Sequence, residues 1–316
     1  LSSSSAASDV YKRQVVYGTA ISVDSNNNPI IGGWFLGNTD VGIAADTGAQ
    51  NGDDIEVFVA KYGNSGNLLW TEVARGQGTQ EINTMTVEDN NDIWVATTFD
   101  GSMTFGSIVL TAGLNDNPMG IAKISQSGTW QSAYASTGSG QPIATDFTTD
   151  DQNNLLMSGV YSGSINLGSQ LTSAGQNDAF VASMSASGGW NWAQTVGGSS
   201  YDSGNGIEFD EITGYSIMGL SSQSNFNFGG QSFSTRGYND SVIVTFDTNG
   251  NPVAMFDAGS SLDDAVTGIS LMSNGELAVG GNYNGTIDFG SSTAPTQTTS
   301  VSVSYTHLTL PTKRIV

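Results

Sequence analysis

The chain has 316 residues, no cysteine, one histidine and a formal net charge of −21, because 29 acidic residues face only 8 basic ones. So few cations form no patch that could neutralise phosphates, and the composition therefore excludes nucleic acid and anionic membrane surfaces as partners. The apolar stretches are no longer than strands, so the sequence predicts no membrane span.

Both ends of the chain differ in character from the rest. Residues 4–14, SSAASDVYKRQ, can be read from a transposase-type sequencing adaptor, and residues 303–312, VSYTHLTLPT, from its reverse complement. We therefore interpret 1–14 and 303–316 as non-native tails, and we expect the native termini to be missing, with any export signal, anchor or flanking domain. The single histidine, His307, lies in the second tail, so the body lacks the base that a nucleophilic serine would need.

The body of the chain, residues 15–302, repeats a unit of 61 to 64 residues. A glycine closes the second strand of each copy, at Gly37, Gly101, Gly163 and Gly285, with Ser224 in the fourth copy. Such self-similarity is typical of arrays in which each unit buries its apolar face against its neighbours. The predicted units are 15–80, 81–141, 142–201, 202–265 and a partial one at 266–302.

The first unit shows the predicted elements most clearly. Its pattern predicts four strands, at 20–24, 29–36, 55–62 and 68–74. The connectors 24–28 and 63–67 are rich in Asp, Asn and Gly, which is typical of hairpin turns. Four strands joined in this way form one antiparallel sheet. Because no segment has a helical period, the predicted fold class is all-β.

The second strand of each unit is apolar on both faces and then turns to very small residues, as in Ile31-Gly32-Gly33 and Val279-Gly280-Gly281. A strand of this kind is covered on both sides, and tiny residues let another backbone come close. Aromatic side chains two positions before the closing residue are predicted to pack between units; they are Phe35, Phe99, Tyr161 and Tyr283, with Ser222 as the exception.

The segments VDSNNNPIIGGWF, VFVAKYGNSGNLLW and NDAFVASMSASGGWNW resemble the SBBP-type β-propeller repeats of large secreted bacterial proteins. The resemblance implies four-stranded antiparallel blades and a propeller of about seven of them. The chain would then hold about four and a half blades, in an incomplete propeller that forms an open arc with one uncovered blade face. A closed five-bladed ring is the alternative.

Two turns have the alternating oxygens that calcium favours, namely Asp24, Asn26 and Asn28 in the first unit and Asp150, Asp151 and Asn153 in the third. Hairpin turns use the same residue types, and the glutamate that closes an EF-hand loop is absent. The sequence therefore offers calcium as the one cofactor to test, against the interpretation of both segments as turns.

Acidic pairs and tryptophans are the remaining candidates. Asp53-Asp54 and Asp263-Asp264 could supply carboxylates for glycoside cleavage, although neighbours in a strand point to opposite faces and solvated loops use the same pairs. Trp190 and Trp192 would lie on one face of a strand, as a platform for a sugar ring or as core packing.

These features favour a non-catalytic, extracellular scaffold or binding and adhesion segment of a larger secreted bacterial protein, whose partner is a protein or a carbohydrate. The first alternative is a propeller-fold carbohydrate-active enzyme that uses Asp or Glu, and the second is a calcium-stabilised array. Carboxylates that converge where the inner strands meet would favour the enzyme, because they would break the symmetry of the repeat.

Overall fold

The computed structural model describes residues 15–36, 55–113, 116–286 and 297–308. Within these ranges the chain forms strands, turns and irregular segments and no helix, which confirms the predicted all-β class. The strands form successive antiparallel meanders, called units one to five below.

The four main strands of unit one are β1 Val15–Val23, β2 Pro29–Leu36, β3 Ile55–Tyr62 and the first half of β4 Leu68–Val87. Unit two has the second half of β4, β5 Ile93–Phe105, β7 Met119–Ile124 and β8 Trp130–Ala135, with the short β6 Ile108–Thr111 paired to β5. The continuous β4 pairs with β3 through residues 68–74 and with β5 mainly through 81–87. Units one and two therefore share one curled, eight-stranded sheet.

Units three and four are separate four-stranded sheets. Unit three consists of β10 Ile143–Thr149, β11 Leu155–Tyr161, β14 Asp178–Met184 and β15 Trp190–Val196. Unit four consists of β16 Asp202–Asp210, β17 Tyr215–Ser222, β20 Asp240–Phe246 and β21 Pro252–Ala258. Unit five has three strands, β22 Ala265–Leu271, β23 Leu277–Gly285 and β24 Gln297–Leu308. Strand β24 pairs with β23 and includes residues 303–308 of the segment that we interpret as a tail.

Small hairpins follow the second strands of units two to four. In unit two the hairpin consists of the end of β5 and β6. In unit three it consists of β12 Ser164–Asn166 and β13 Gln170–Thr172, and the short strand β9 Thr137–Gly138 pairs with β12. In unit four it consists of β18 Phe226–Phe228 and β19 Gln231–Phe233. The closing glycines Gly101, Gly163 and Gly285 have φ of 67°, 68° and 79°. This left-handed conformation explains the recurrent glycine. In unit four, Ser224 instead donates a hydrogen bond from its hydroxyl to buried Asp202.

Among the described residues, four hydrophobic clusters lie between units, and a fifth, around Phe35 and Phe58, lies inside unit one. Separate clusters join units one and two, two and three, three and four, and four and five. Every residue of β11 and β14 is buried, so the middle strands of unit three are covered on both faces as predicted. The aromatics predicted to pack between units, Phe35, Phe99, Tyr161 and Tyr283, are all buried, but the described apolar neighbours of Phe35 belong to its own unit. A unit therefore depends on its neighbours for most of its buried apolar area.

A β-bulge occurs at the same place in the first strand of every unit. The bulged residues are Thr19, Asn83, Thr145, Asn205 and Thr267. Three of these side chains donate a hydrogen bond to a carbonyl of the next unit: Thr19 to Ile82 at 2.6 Å, Thr145 to Gly204 at 2.7 Å and Asn205 to Val266 at 2.9 Å. The bulge turns a polar side chain out of its own ladder and toward the neighbouring strand. Consecutive first strands are thereby linked along the array.

Aromatic side chains link the units a second time, at their fourth strands. Trp70 donates to the carbonyl of Gln126 at 3.0 Å, Tyr134 to Ser187 at 2.9 Å and Trp192 to Thr248 at 3.1 Å. Each acceptor lies in the hairpin turn between the third and fourth strands of the following unit. The rings cover a glycine of that turn, where a larger residue would clash. The first and fourth strands thus fix the relative position of neighbouring sheets.

Candidate functional site

The predicted calcium ligands of unit one form a hairpin turn that is held by its own hydrogen bonds. One carboxylate oxygen of Asp24, Oδ1, accepts the backbone N–H groups of Asn26 and Asn28, both at 2.9 Å. The other, Oδ2, accepts the Asn28 amide at 2.9 Å and pairs with the Lys61 ammonium at 2.9 Å. Burial alone would raise the pKa of Asp24, but Lys61 and the hydrogen bonds from Asn28 and Asn26 hold it at about 2. The carboxylate of Asp24 therefore already has a cationic partner.

The corresponding turn in unit three has the same design without the lysine. Asp150 accepts the backbone N–H groups of Gln152 and Asn154 at 2.9 and 2.8 Å, and the Asn154 amide at 2.7 Å. Asp151 is exposed in the turn, and Asn153 has a left-handed φ of 57°. The geometry accounts for these residue types as turn formers. Calcium binding at either turn stays the alternative hypothesis, to be tested by titration.

The structure separates the two tryptophans of the predicted aromatic platform. In the pairing of β14 with β15 the register shifts so that Trp192 lies opposite Ser183 and Trp190 opposite Met184. Trp190 packs against the core between units two and three, whereas Trp192 packs against the core between units three and four and stacks on Phe246 at 6.0 Å. The bulge breaks the alternation on which the expectation of a shared face rested. The two rings therefore do not form a joint platform.

The predicted acidic pairs divide into two cases. Asp53 and Asp54 lie outside the described residues. In the other pair, Asp264 is fully buried and accepts the N–H groups of Ser260 at 2.6 Å and Asn284 at 3.0 Å, while Asp263 is exposed and accepts the Asn239 amide. Asp264 stabilises the entry to β22 and Asp263 faces solvent. The structure therefore does not bring these two carboxylates to a common site.

Two carboxylates that the sequence analysis did not single out lie on neighbouring first strands. The first is Asp146 on β10, which is half-buried next to the bulge of unit three. Its Oδ2 accepts the N–H of Ile207 in unit four and its Oδ1 accepts the N–H of Phe147, both at 2.9 Å. Burial raises the pKa of Asp146 to about 6, against the lowering effect of these two hydrogen bonds.

The second carboxylate is Glu208 on β16, also half-buried. Burial raises its pKa to about 7, although hydrogen bonds from Leu271 and Ser270 oppose the change, and the negative charge of Asp146 raises it further. The pKa of Glu208 therefore lies above that of Asp146, so Asp146 loses its proton first as the pH rises. Two carboxyl groups with separated pKa values can in principle act as an acid and a base.

Asp146 and Glu208 differ from the residues at the equivalent positions of the other units. The position of Asp146 is occupied by Ala20, Thr84, Gly206 and Gly268 in the other units, and that of Glu208 by Ser22, Thr86, Thr148 and Ser270. Neither acid belongs to a local motif, so a search for acid pairs along the chain passes over both. Alignment of the first strands on their bulges would have identified them as the acids that break the repeat.

Other buried acids have structural partners. Asp202 accepts the backbone N–H of Gly198 at 2.8 Å and hydroxyl hydrogen bonds from Ser222 and Ser224. Asp178 accepts the N–H of Ala174 at 2.7 Å, and its pKa is raised by burial and by Asp202. Within the described residues, no group of three or more His, Cys, Asp or Glu is arranged to hold a metal ion, and no helix could cross a bilayer.

Comparison with known proteins identifies no family for the chain. No protein-family model matches the chain, and no curated protein matches it. Among solved structures, the chain is similar to the crystal structure of a protein of unknown function from Bacteroides caccae. The two share 10% sequence identity with a TM-score of 0.47, over 84% of this chain and 70% of that one.

Proposed function

We propose that the chain is an open arc of β-propeller blades that serves as a non-catalytic scaffold or binding module of a larger secreted bacterial protein. The observation that carries this proposal is the use of its polar side chains. Three of the bulge residues, the turn acids Asp24 and Asp150, buried acids such as Asp202 and the indole groups of Trp70 and Trp192 hold strands, turns or neighbouring units together. Side chains that make such hydrogen bonds keep the array rigid, whereas the sequence and length of its loops can differ from unit to unit.

The propeller geometry is supported by the contacts between first strands. Strand β1 contacts β4, β4 contacts β10, β10 contacts β16 and β16 contacts β22. Sheets whose innermost strands follow one another in this way fan around a shared axis, as blades do. The described strands do not close into a ring. The extracellular location rests on composition: the chain has 41 glycines and charged residues make up only 12% of it.

The scaffold proposal is tested by a screen for catalysis and for stabilising ligands. We expect no release of reducing sugars from soluble polysaccharides, and a melting temperature that is the same in calcium and in chelator. A protein or oligosaccharide that binds would raise the melting temperature in proportion to the logarithm of its concentration, as a ligand of the native state does. Sugar release above a heat-inactivated control would contradict the proposal.

Asp146 and Glu208 favour one second candidate, a carbohydrate-active enzyme. They lie on adjacent first strands, break the repeat and have raised pKa values, which is common at functional sites. An enzyme of this kind would lose its sugar release in the isosteric variant Glu208→Gln while its melting temperature changed little. The Asp263→Asn variant changes an exposed acid and is the matched control. Release that is unaffected by Glu208→Gln would exclude this pair as the catalytic acids.

A further inference from the structure

The junctions of units one–two and four–five each place an apolar side chain against a glycine. The side chain belongs to the residue two positions after the bulge, and the small residue to the second strand of the preceding unit. A Cβ added to Gly32 would lie 2.2 Å from the end of the Met85 side chain, and one added to Gly219 would lie 2.9 Å from Ile269. Together with the bulge hydrogen bond, this contact forms a recurring junction along the array.

The first unit presents one half of this junction to solvent. Ile21 occupies the position of Met85, Phe147 and Ile207; it is 69% exposed, whereas those three are 6%, 5% and 1% exposed. The carbonyl of Gly18 occupies the position at which Ile82, Gly204 and Val266 accept a hydrogen bond. Ile31 pairs with Ile21 across the strands and lies on the same face. We call Gly18, Ile21 and Ile31 the leading face.

The fifth unit presents the complementary half. Thr267 is the bulge residue of β22 and is exposed, unlike the donor Thr145, which reaches the next unit. Gly280 occupies the position of Gly32 and Gly219, but among the described side chains and backbone atoms an added Cβ there would lie nearest to Gly268 and Thr267 of its own unit, at 3.7 and 3.8 Å. We call Thr267 and Gly280 the trailing face. No described residue of another unit covers it.

We propose that the leading face of one chain docks on the trailing face of a second copy and continues the array head to tail. Ile21 would then lie over Gly280, and the Thr267 hydroxyl would donate to the Gly18 carbonyl. The argument is continuity with the junctions of units one–two and four–five, where this apolar contact and the bulge hydrogen bond occur together. Within one chain the two faces do not meet, since the described strands do not close into a ring. A contact between two different surfaces is heterologous and can extend beyond a dimer.

Electrostatics adds a condition to this contact. Both partners carry a formal charge of −21, so their mutual repulsion opposes association at low ionic strength. Salt screens this repulsion, with a Debye length that falls to about 3 Å at 1 M. Association should therefore strengthen as salt is added, opposite to the behaviour of a contact made by ion pairs. The contact is proposed for the chain of 316 residues, and a flanking blade of a larger protein would occupy the same two faces.

The test is sedimentation equilibrium of the full chain over a range of concentrations and salt. The weight-average mass should rise above 32.8 kDa with concentration, and more steeply at high salt. Ile21→Asp and Gly280→Glu should each weaken association at least ~10-fold, because each places a charge in the apolar contact. Val109→Asp introduces the same charge at an exposed residue of β6, away from both faces, and should leave association unchanged. Thermal unfolding confirms that each variant is folded.

A mixture of the two disabled variants decides whether the contact is head to tail. The Ile21→Asp chain keeps its trailing face and the Gly280→Glu chain keeps its leading face. A mixture should therefore restore a one-to-one dimer that cannot grow further. A wild-type chain that stays monomeric at all salt concentrations would overturn the proposal. So would full association of Gly280→Glu, which would indicate that leading faces pair with each other, or a mixture that remains monomeric.

Discussion

Gly219 and Gly280 occupy equivalent positions in units four and five and give opposite predictions for the same substitution. In Gly219→Ala the new Cβ would lie 2.9 Å from Cγ2 of Ile269 and 3.1 Å from Cγ1 of Val266. Carbon atoms pack at about 3.5 Å or more, so the methyl group overlaps two β-branched side chains whose rotamers are restricted. Overpacking of this kind costs about 1–3 kcal/mol.

Gly280→Ala places the methyl group in ordinary van der Waals contact without overlap, because the nearest atoms of the described residues are 3.7 and 3.8 Å away. Loss of the freedom of glycine in the unfolded chain should then stabilise the fold by about 0.4–1 kcal/mol. The same gain offsets part of the cost at Gly219, which leaves a net destabilisation of about 1–2 kcal/mol there. Urea unfolding followed by circular dichroism, at a concentration where the chain is monomeric, measures both. Equal effects of the two substitutions would refute the account of the junction.

Three further predictions concern polar groups. Thr145→Val should cost about 1–3 kcal/mol, because the Gly204 carbonyl loses its donor, whereas Thr267→Val should be near neutral in the same unfolding assay. Lys61→Met should lower the free energy of unfolding by about 3 kcal/mol or more, because it leaves the buried Asp24 carboxylate without its cation. An NMR titration should then show a higher pKa for Asp24 than in the unchanged chain. Burial raises the pKa of Glu208 in the folded chain above its ordinary value of 4.5, so its contribution to stability is present below pH 4.5 and is lost as pH rises through about 7. Glu208→Gln should flatten this decline in a series of melts from pH 4.5 to 8, and an unchanged slope would contradict the assignment.

The repeat and its strands were predictable because local chemistry specifies them. The Asp and Asn turns, the glycines with positive φ and the alternation of apolar residues each act within a few positions of the chain. Strands 29–36 and 55–62 of the first unit coincide with the predicted ones. The burial of the second strand on both faces could likewise be inferred, because it is apolar on both sides.

The junctions between units were not predictable in the same way. No local sequence pattern predicts the extra residue at the Thr145 bulge. The Gly204 carbonyl that accepts the hydrogen bond of the Thr145 hydroxyl lies 59 positions away. The bulge in β15 also explains why Trp190 and Trp192 separate, since a strict two-residue period had placed them on one face. Asp146 and Glu208 differ from their counterparts only after the units are aligned on these bulges. Long-range register, rather than residue type, was the missing information.

The proposed fan of sheets around one axis is tested most directly by distances between equivalent turns. Ser65, Ser127, Ser187 and Asn249 are exposed at matching positions in the hairpin turns of units one to four. Because the chain has no cysteine, pairs of cysteines with spin labels can be placed there without other changes. We predict that the distance from position 65 increases from 127 to 187 to 249 by progressively smaller steps, as chords of an arc do. Equal steps would indicate a straight stack of sheets and would contradict the account, and equal distances to 187 and 249 would indicate a closed five-unit ring instead.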